Sequence, residues 1–166
     1  MFVRGIVIAI LVAVADQLAK WGIVDYFVAH PEAARHVTVT GFFNLVLTLN
    51  RGISFGMFNA PRTAEILFVL LALAIVVGLL IWLRRVNNFL AAAAIGFIIG
   101  GAAGNALDRV VRGAVVDFLD FHLGQWHPFA FNLADAAISV GVALLILDGL
   151  LGGRGRAVVT EGRRES

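Results

Sequence analysis

No cysteine occurs among the 166 residues. That excludes a disulfide framework, a thiolate nucleophile and a Cys-based metal site, and it says nothing about redox compartment. Charge is scarce too: 14% of residues are Asp, Glu, Lys or Arg, against about 25% in a soluble domain. Hydrophobic residues make up 60% of the chain, more than a water-soluble core of this length can absorb. A His-Glu-x-x-His motif is missing. His30, His36, His122 and His127 lie outside the long apolar runs and lack helical ligand spacing, so no metal is expected. Arginine dominates the net charge of +2, but it falls between apolar runs and in the tail, not on a stripe with interleaved aromatics. No nucleic-acid partner is expected.

What is present suits a bilayer. A membrane span takes about 20 mostly apolar residues. Four stretches qualify: Gly5 to Val24, Ala64 to Leu83, Phe89 to Leu107, and Phe131 to Leu151. Arg4, the run behind it and Ala13-Val14-Ala15 imitate a cleavable secretory signal. The apolar pattern continues through Leu18, Trp21, Ile23 and Val24, however, and the uncleaved segment is long enough to span. Short Arg-rich segments stay cytoplasmic. Arg4, the Arg84-Arg85 turn and the tail with Arg154, Arg156, Arg163 and Arg164 define that side. Both termini are thus expected in the cytoplasm, with the first and last connections outside.

Those outer connections carry strand patterns. Val37, Val39, Phe43, Leu45, Leu47 and Leu49 alternate, and Val115 to Phe121 is β-branched and aromatic. The expected fold is an all-α membrane protein with four transmembrane helices. A small β-containing extracytoplasmic region lies between the first and second spans and between the third and fourth. Arg51 to Arg62, with Gly52, Gly56 and Pro61, reads as irregular. Residues 1–151 form one domain; residues 152–166, Gly- and Arg-rich, are expected as a disordered cytoplasmic tail or one lying on anionic lipid.

Ionisable groups inside spans are costly and are functional candidates. Asp16 and Lys20, four apart, share a helix face; a mutually neutralised supporting pair is favoured over direct chemistry. Gly96, Gly100 and Gly104 form a small-residue stripe for close helix contact. Asn105, Asp108 and Arg109 follow, and they read either as an Asp–Arg pair braced by an amide or as part of a site. Asp117, flanked by apolar residues, sits at a wet–dry border. In a strand, Asp120 points to the opposite face and reads as solvated. Asn132 and Asp135 open the fourth span; either could cap it. Two acids in one dry site share a proton and can direct water at a peptide carbonyl.

The blocks Asp16-Gln17 with Lys20, Asn50-Arg51-Gly52 with Ser54-Phe55-Gly56, Gly100-Gly101 with Gly104-Asn105 and Asp108-Arg109, Val115-Val116-Asp117-Phe118, and Phe131-Asn132 with Ala134-Asp135 resemble the lipoprotein (type II) signal peptidases. The resemblance covers roughly residues 8 to 150, with the blocks in the family's order. It implies an aspartic endopeptidase of the bacterial inner membrane. Such an enzyme would cleave diacylglyceryl-modified prolipoproteins just before the lipidated cysteine, with no cofactor. The family's catalytic pair falls on Asp117 and Asp135. Asp16, Lys20, Asn50, Gly52, Asn105, Asp108, Arg109 and Asn132 would shape the site or hold substrate. Substrate and membrane lipids are the implied partners, and a monomer has enough polar groups for a site.

Three other readings stay open. Ser54 and Lys20 could form a Ser–Lys dyad. The intramembrane acids could relay protons in a transporter. The polar residues could be helix glue in a scaffold.

Overall fold

The computed structural model describes residues 1–52 and 62–161, with backbone alone at 62–64 and 152–161. Among the described residues, four helices are long and apolar enough to cross a membrane: α1 (Phe2–Ala29), α2 (Arg62–Leu83), α3 (Phe89–Arg112) and α4 (Leu133–Glu161). Between α1 and α2 lie a 3₁₀ turn (Pro31–Ala33) and strands β1 (His36–Thr40) and β2 (Phe43–Asn50). Between α3 and α4 lie β3 (Val115–Phe121) and β4 (Ala130–Phe131).

α3 is the central helix because its residues are small. Ala91 to Ile95, Gly96, Gly100, Gly101 and Gly104 are buried. A methyl group on Gly96 would lie 2.5 Å from the Gly5 carbonyl oxygen, and one on Gly100 2.5 Å from that of Ala9. The expected glycine stripe therefore brings α3 and α1 into backbone contact. Asn88 caps the helix start, its side chain accepting from the Ala91 N–H at 2.7 Å. Gly113, at φ +68°, ends it in the left-handed region that favours glycine and turns the chain into β3.

The surface is inverted relative to a soluble protein. Asp16 and Lys20 are fully buried, whereas Leu11 and Leu67 are each 63% exposed. Long, exposed apolar faces of this kind need lipid around them.

The strands form one antiparallel sheet in the order β1-β2-β3-β4. The register of β2 against β3 shifts between Leu45↔Leu119 and Thr48↔Asp117. β2 thus carries one extra residue, a bulge, and its side chains change face there. The apolar row Phe43, Leu45, Leu47, Leu49 is accordingly split between two faces. The bulge also sorts two asparagines: Asn44 pairs with Asp120 on one face, while Asn50 joins Asp117 on the other.

The expected element bounds shift in instructive places. α3 runs past Leu107 to Arg112, so Asp108 and Arg109 are helical. Phe131 belongs to β4 and α4 begins at Leu133, which leaves Asn132 at the junction. The apolar part of α4 ends at Leu151. From Gly152 the backbone is helical as far as Glu161, and the rest of the stretch expected as a disordered or lipid-lying tail lies outside the described residues. So do Ser54 and most of the irregular Arg51 to Arg62 stretch.

Candidate active site

Polar side chains from α1, α3, β2, β3 and the start of α4 meet at one end of the bundle. Lys20 is the hub. Its Nζ lies 2.8 Å from Asp16 Oδ2, 2.9 Å from Asp108 Oδ2 and 3.1 Å from Asn105 Oδ1. An ammonium has three donors, and all three are committed. The acids are also tied elsewhere. Asp16 Oδ1 accepts from the Ala134 N–H at 2.9 Å, which pins the start of α4 to α1. Asp108 Oδ2 accepts from the Val116 N–H at 3.1 Å, which pins β3. Asp108 Oδ1 takes Gln17 at 3.1 Å and also Arg112. Two acids and two cations, Asp16, Asp108, Lys20 and Arg112, thus form a balanced quartet. Unpaired charges there would be very costly.

Beside this quartet stand Asp117 and Asp135, joined by Asn132. Asn132 Nδ2 donates to Asp117 Oδ1 at 2.7 Å. The Asp135 N–H donates to Asn132 Oδ1 at 3.0 Å, and the Asn132 N–H returns a bond to Asp135 Oδ2 at 3.3 Å. That reciprocal pair is a capping box, so the helix-capping role anticipated here is real. The same asparagine bridges both acids. Asn50 Nδ2 donates to Asp117 Oδ2 at 3.0 Å while its own oxygen accepts from the Gly52 N–H, also at 3.0 Å. Asn105 Nδ2 donates to Asp135 Oδ1 at 2.8 Å.

Asp117 is 3% exposed. Burial pushes its carboxyl up to about 6; the Asn50 bond works against the rise, and the nearby Asp135 charge adds to it. The two acids line one open cleft of about 150 Å³ with Asn50, Gly52, Phe68, Asn105, Arg109 and Val115. A second cleft of about 260 Å³, lined by Phe129, Phe131, Ile138 and Ser139, also opens on Asp135. A buried acid raised to about 6 beside a more open one is an arrangement that general acid–base hydrolysis can use.

Comparison with known proteins shows the family. The family model for "Signal peptidase (SPase) II" matches residues 8–151. The chain belongs to the signal peptidase II family. A lipoprotein signal peptidase of Beijerinckia indica is 47% identical over 147 residues, covering 88% of this chain and 87% of its own. One from Nitrobacter hamburgensis is 46% identical, covering 89% and 92%. A solved structure described as a bacterial membrane enzyme superposes with a TM-score of 0.70 at 30% identity, over 88% of this chain and 87% of that one.

Every residue expected at the site lies in this polar end or on its cleft, but two pairings differ from expectation. Asp108 pairs with Lys20 and Arg112, not with Arg109. Successive helical residues point about 100° apart, so Arg109 turns to the cleft instead. Its guanidinium carbon lies 5.2 Å from the centre of the Phe68 ring, and its Nη1 donates to the Asn105 carbonyl at 3.3 Å. Nor is Asp120 solvated. It does lie on the opposite face from Asp117, but it is 6% exposed. It accepts from Asn44 at 2.9 Å and meets His127 Nδ1 at 2.8 Å.

Gln17, Arg112 and Phe68 also join the site, and of these only Gln17 falls in a block that carries the family resemblance. Arg112 was findable, since it stands four residues after Asp108 on the same helix, as Lys20 does after Asp16. Gln17 reaches Asp108 across 91 positions, and no local pattern signals that.

Proposed function

We propose that Asp117 and Asp135 are the catalytic pair of an aspartic endopeptidase that removes the signal peptide from diacylglyceryl-modified prolipoproteins, cutting just before the lipidated cysteine. One observation carries the assignment: Asn132 bonds both acids at the lip of a shared cleft. Asp135 takes a proton from water as the oxygen attacks the scissile carbonyl. Protonated Asp117 donates a hydrogen bond to the carbonyl oxygen as negative charge develops there. The tetrahedral intermediate then collapses: the C–N bond breaks and Asp135 delivers its proton to the leaving amine. The two clefts that meet at Asp135 suit an extended peptide crossing it. Arg109 and Phe68 flank the path, and Gly52 lets backbone approach closely.

The remaining roles follow from the quartet. Asp16, Lys20 and Asp108 brace the site, and Asn50, Asn105 and Asn132 aim the carboxylates. A Ser–Lys dyad has little support, because the three donors of Lys20 already bind Asp16, Asp108 and Asn105. The protein is a multi-pass protein of the bacterial inner membrane. Within that setting the termini and the 152–166 tail are cytoplasmic, the site is near the outer face, and the working unit is a monomer.

The test is cleavage of a diacylglyceryl-modified prolipoprotein by purified wild type, Asp117→Asn and Asp135→Asn, with folding followed in parallel. Both variants are expected to fold and to lose turnover. Near-normal turnover in either would overturn the pair as assigned and bring Asp108 or Ser54 forward.

A further inference from the structure

The geometry points to Lys20 as a positioning residue: through the Asn105 amide it holds Asp135 as the ionised member of the pair and leaves the proton on Asp117. This rests on the aspartic reading above and assigns the roles within it.

The argument begins with which way an amide faces. Lys20 can only donate, so Asn105 must turn its oxygen to Nζ, 3.1 Å away. Asn132 Nδ2 approaches the same oxygen at 3.2 Å. With its oxygen held by two donors, Asn105 has only its NH₂ to offer Asp135 Oδ1, at 2.8 Å. The other Asp135 oxygen meets the Asn132 backbone N–H at 3.3 Å. Both oxygens of Asp135 therefore face donors, which favours a carboxylate.

Asp117 also receives two amides, from Asn50 and Asn132. What separates the two acids is solvent and charge. Asp117 is almost fully buried, whereas Asp135 is half-buried and opens on both clefts. Among charged groups, Arg109 of α3 faces Asp135, Asp117, Asp108 and Glu65, and Asp117 of β3 faces Asp135 and Lys20. The Lys20 charge also reaches Asp117, where it works against a proton, so its field does not account for a proton left on Asp117. Orientation of the Asn105 dipole is the route that remains. If that amide turned over, its oxygen would oppose Asp135, and the site would hold a proton on Asp135 instead.

Two variants test this. Lys20→Met alone strands a buried acid, so it is paired with Asp16→Asn, which leaves Asp108 matched by Arg112. Asn105→Ala cuts the link and leaves the quartet whole. Each is assayed across pH on a diacylglyceryl-modified prolipoprotein in detergent micelles, with rates normalised to folded enzyme. Both are expected to lose kcat by ~10–100-fold, up to the lower end of what acid–base catalysis contributes, with KM nearly unchanged. In both, the acid side of the pH–rate profile moves to higher pH. A loss that merely tracks folded fraction, with an unmoved profile, would overturn the inference and leave Lys20 a brace. The signature in Asn105→Ala alone would remove Lys20 from the relay. Should the paired variant not fold, an unmoved profile in Asn105→Ala still overturns the inference, because the relay passes only through that amide. Turnover surviving in Asp135→Asn would instead sink the aspartic reading itself.

Discussion

Asp117 carries a cost that can be measured. Its carboxyl is raised from 3.8 to about 6 in the folded protein, first by burial. Between those two values the folded chain binds more protons than the unfolded one. Stability contributed by this group is therefore greatest below about pH 4 and declines as pH rises through 6. Asp117→Asn removes the titration. Allowing for one amide facing a donor, it should be more stable than wild type at pH 7.5 by about 1–2 kcal/mol and no more stable at pH 4. Denaturant unfolding at both pH values checks this, and an equal difference at the two would contradict it. Turnover has its own dependence. Asp117 must hold its proton, so kcat/KM should fall as pH rises above about 6; a rate still climbing at pH 9 would rule out Asp117 as the acid. Asn132 sits at both tasks, and Asn132→Ala should lose about 1 kcal/mol as a missing cap. Its turnover should fall much further than that stability loss explains, measured as kcat per folded molecule.

At the scale of elements, the glycine stripe makes the sharpest prediction. A methyl on Gly104 would lie 2.6 Å from Asp16 Oδ2. Gly104→Ala should therefore displace the Asp16 carboxylate from Lys20 and destabilise the bundle by about 1–3 kcal/mol, the range for overpacking. Unfolding in mixed detergent micelles measures it, and an unchanged midpoint would mean that α1 and α3 are less closely held than described. The stripe was legible because helical spacing of small residues has one main use in lipid. The spans were legible for a similar reason, since a bilayer demands long apolar runs. The β2 bulge was not. Alternation from Phe43 to Leu49 looks continuous, and only the pairing with β3 reveals the extra residue. The partners of Asp108 were half legible: Arg112 follows a local rule, but Lys20 and the Val116 N–H come from other elements. Asp120 reads as solvated from sequence because a strand's second face looks open until Asn44 and His127 close over it.

The molecule as a whole is an inverted protein, polar at one end inside and apolar around its waist, and the placement of arginine predicts its orientation. Arg84 and Arg85 occupy the turn between α2 and α3, while β1 and β2 join α1 to α2 at the other end. If that sheet stands outside, a lipid-anchored substrate meets Asp117 and Asp135 without entering the cytoplasm. If the chain were inverted, the same acids would face a compartment holding the substrate's uncut signal on the wrong side. The absence of cysteine makes the test clean, because any thiol introduced is the sole target. Arg84→Cys should resist a membrane-impermeant maleimide in intact spheroplasts and react once they are opened. Thr38→Cys, on exposed β1, should react in both. Labelling of Arg84→Cys in intact spheroplasts, with Thr38→Cys protected, would reverse the topology and with it the route by which substrate reaches the site.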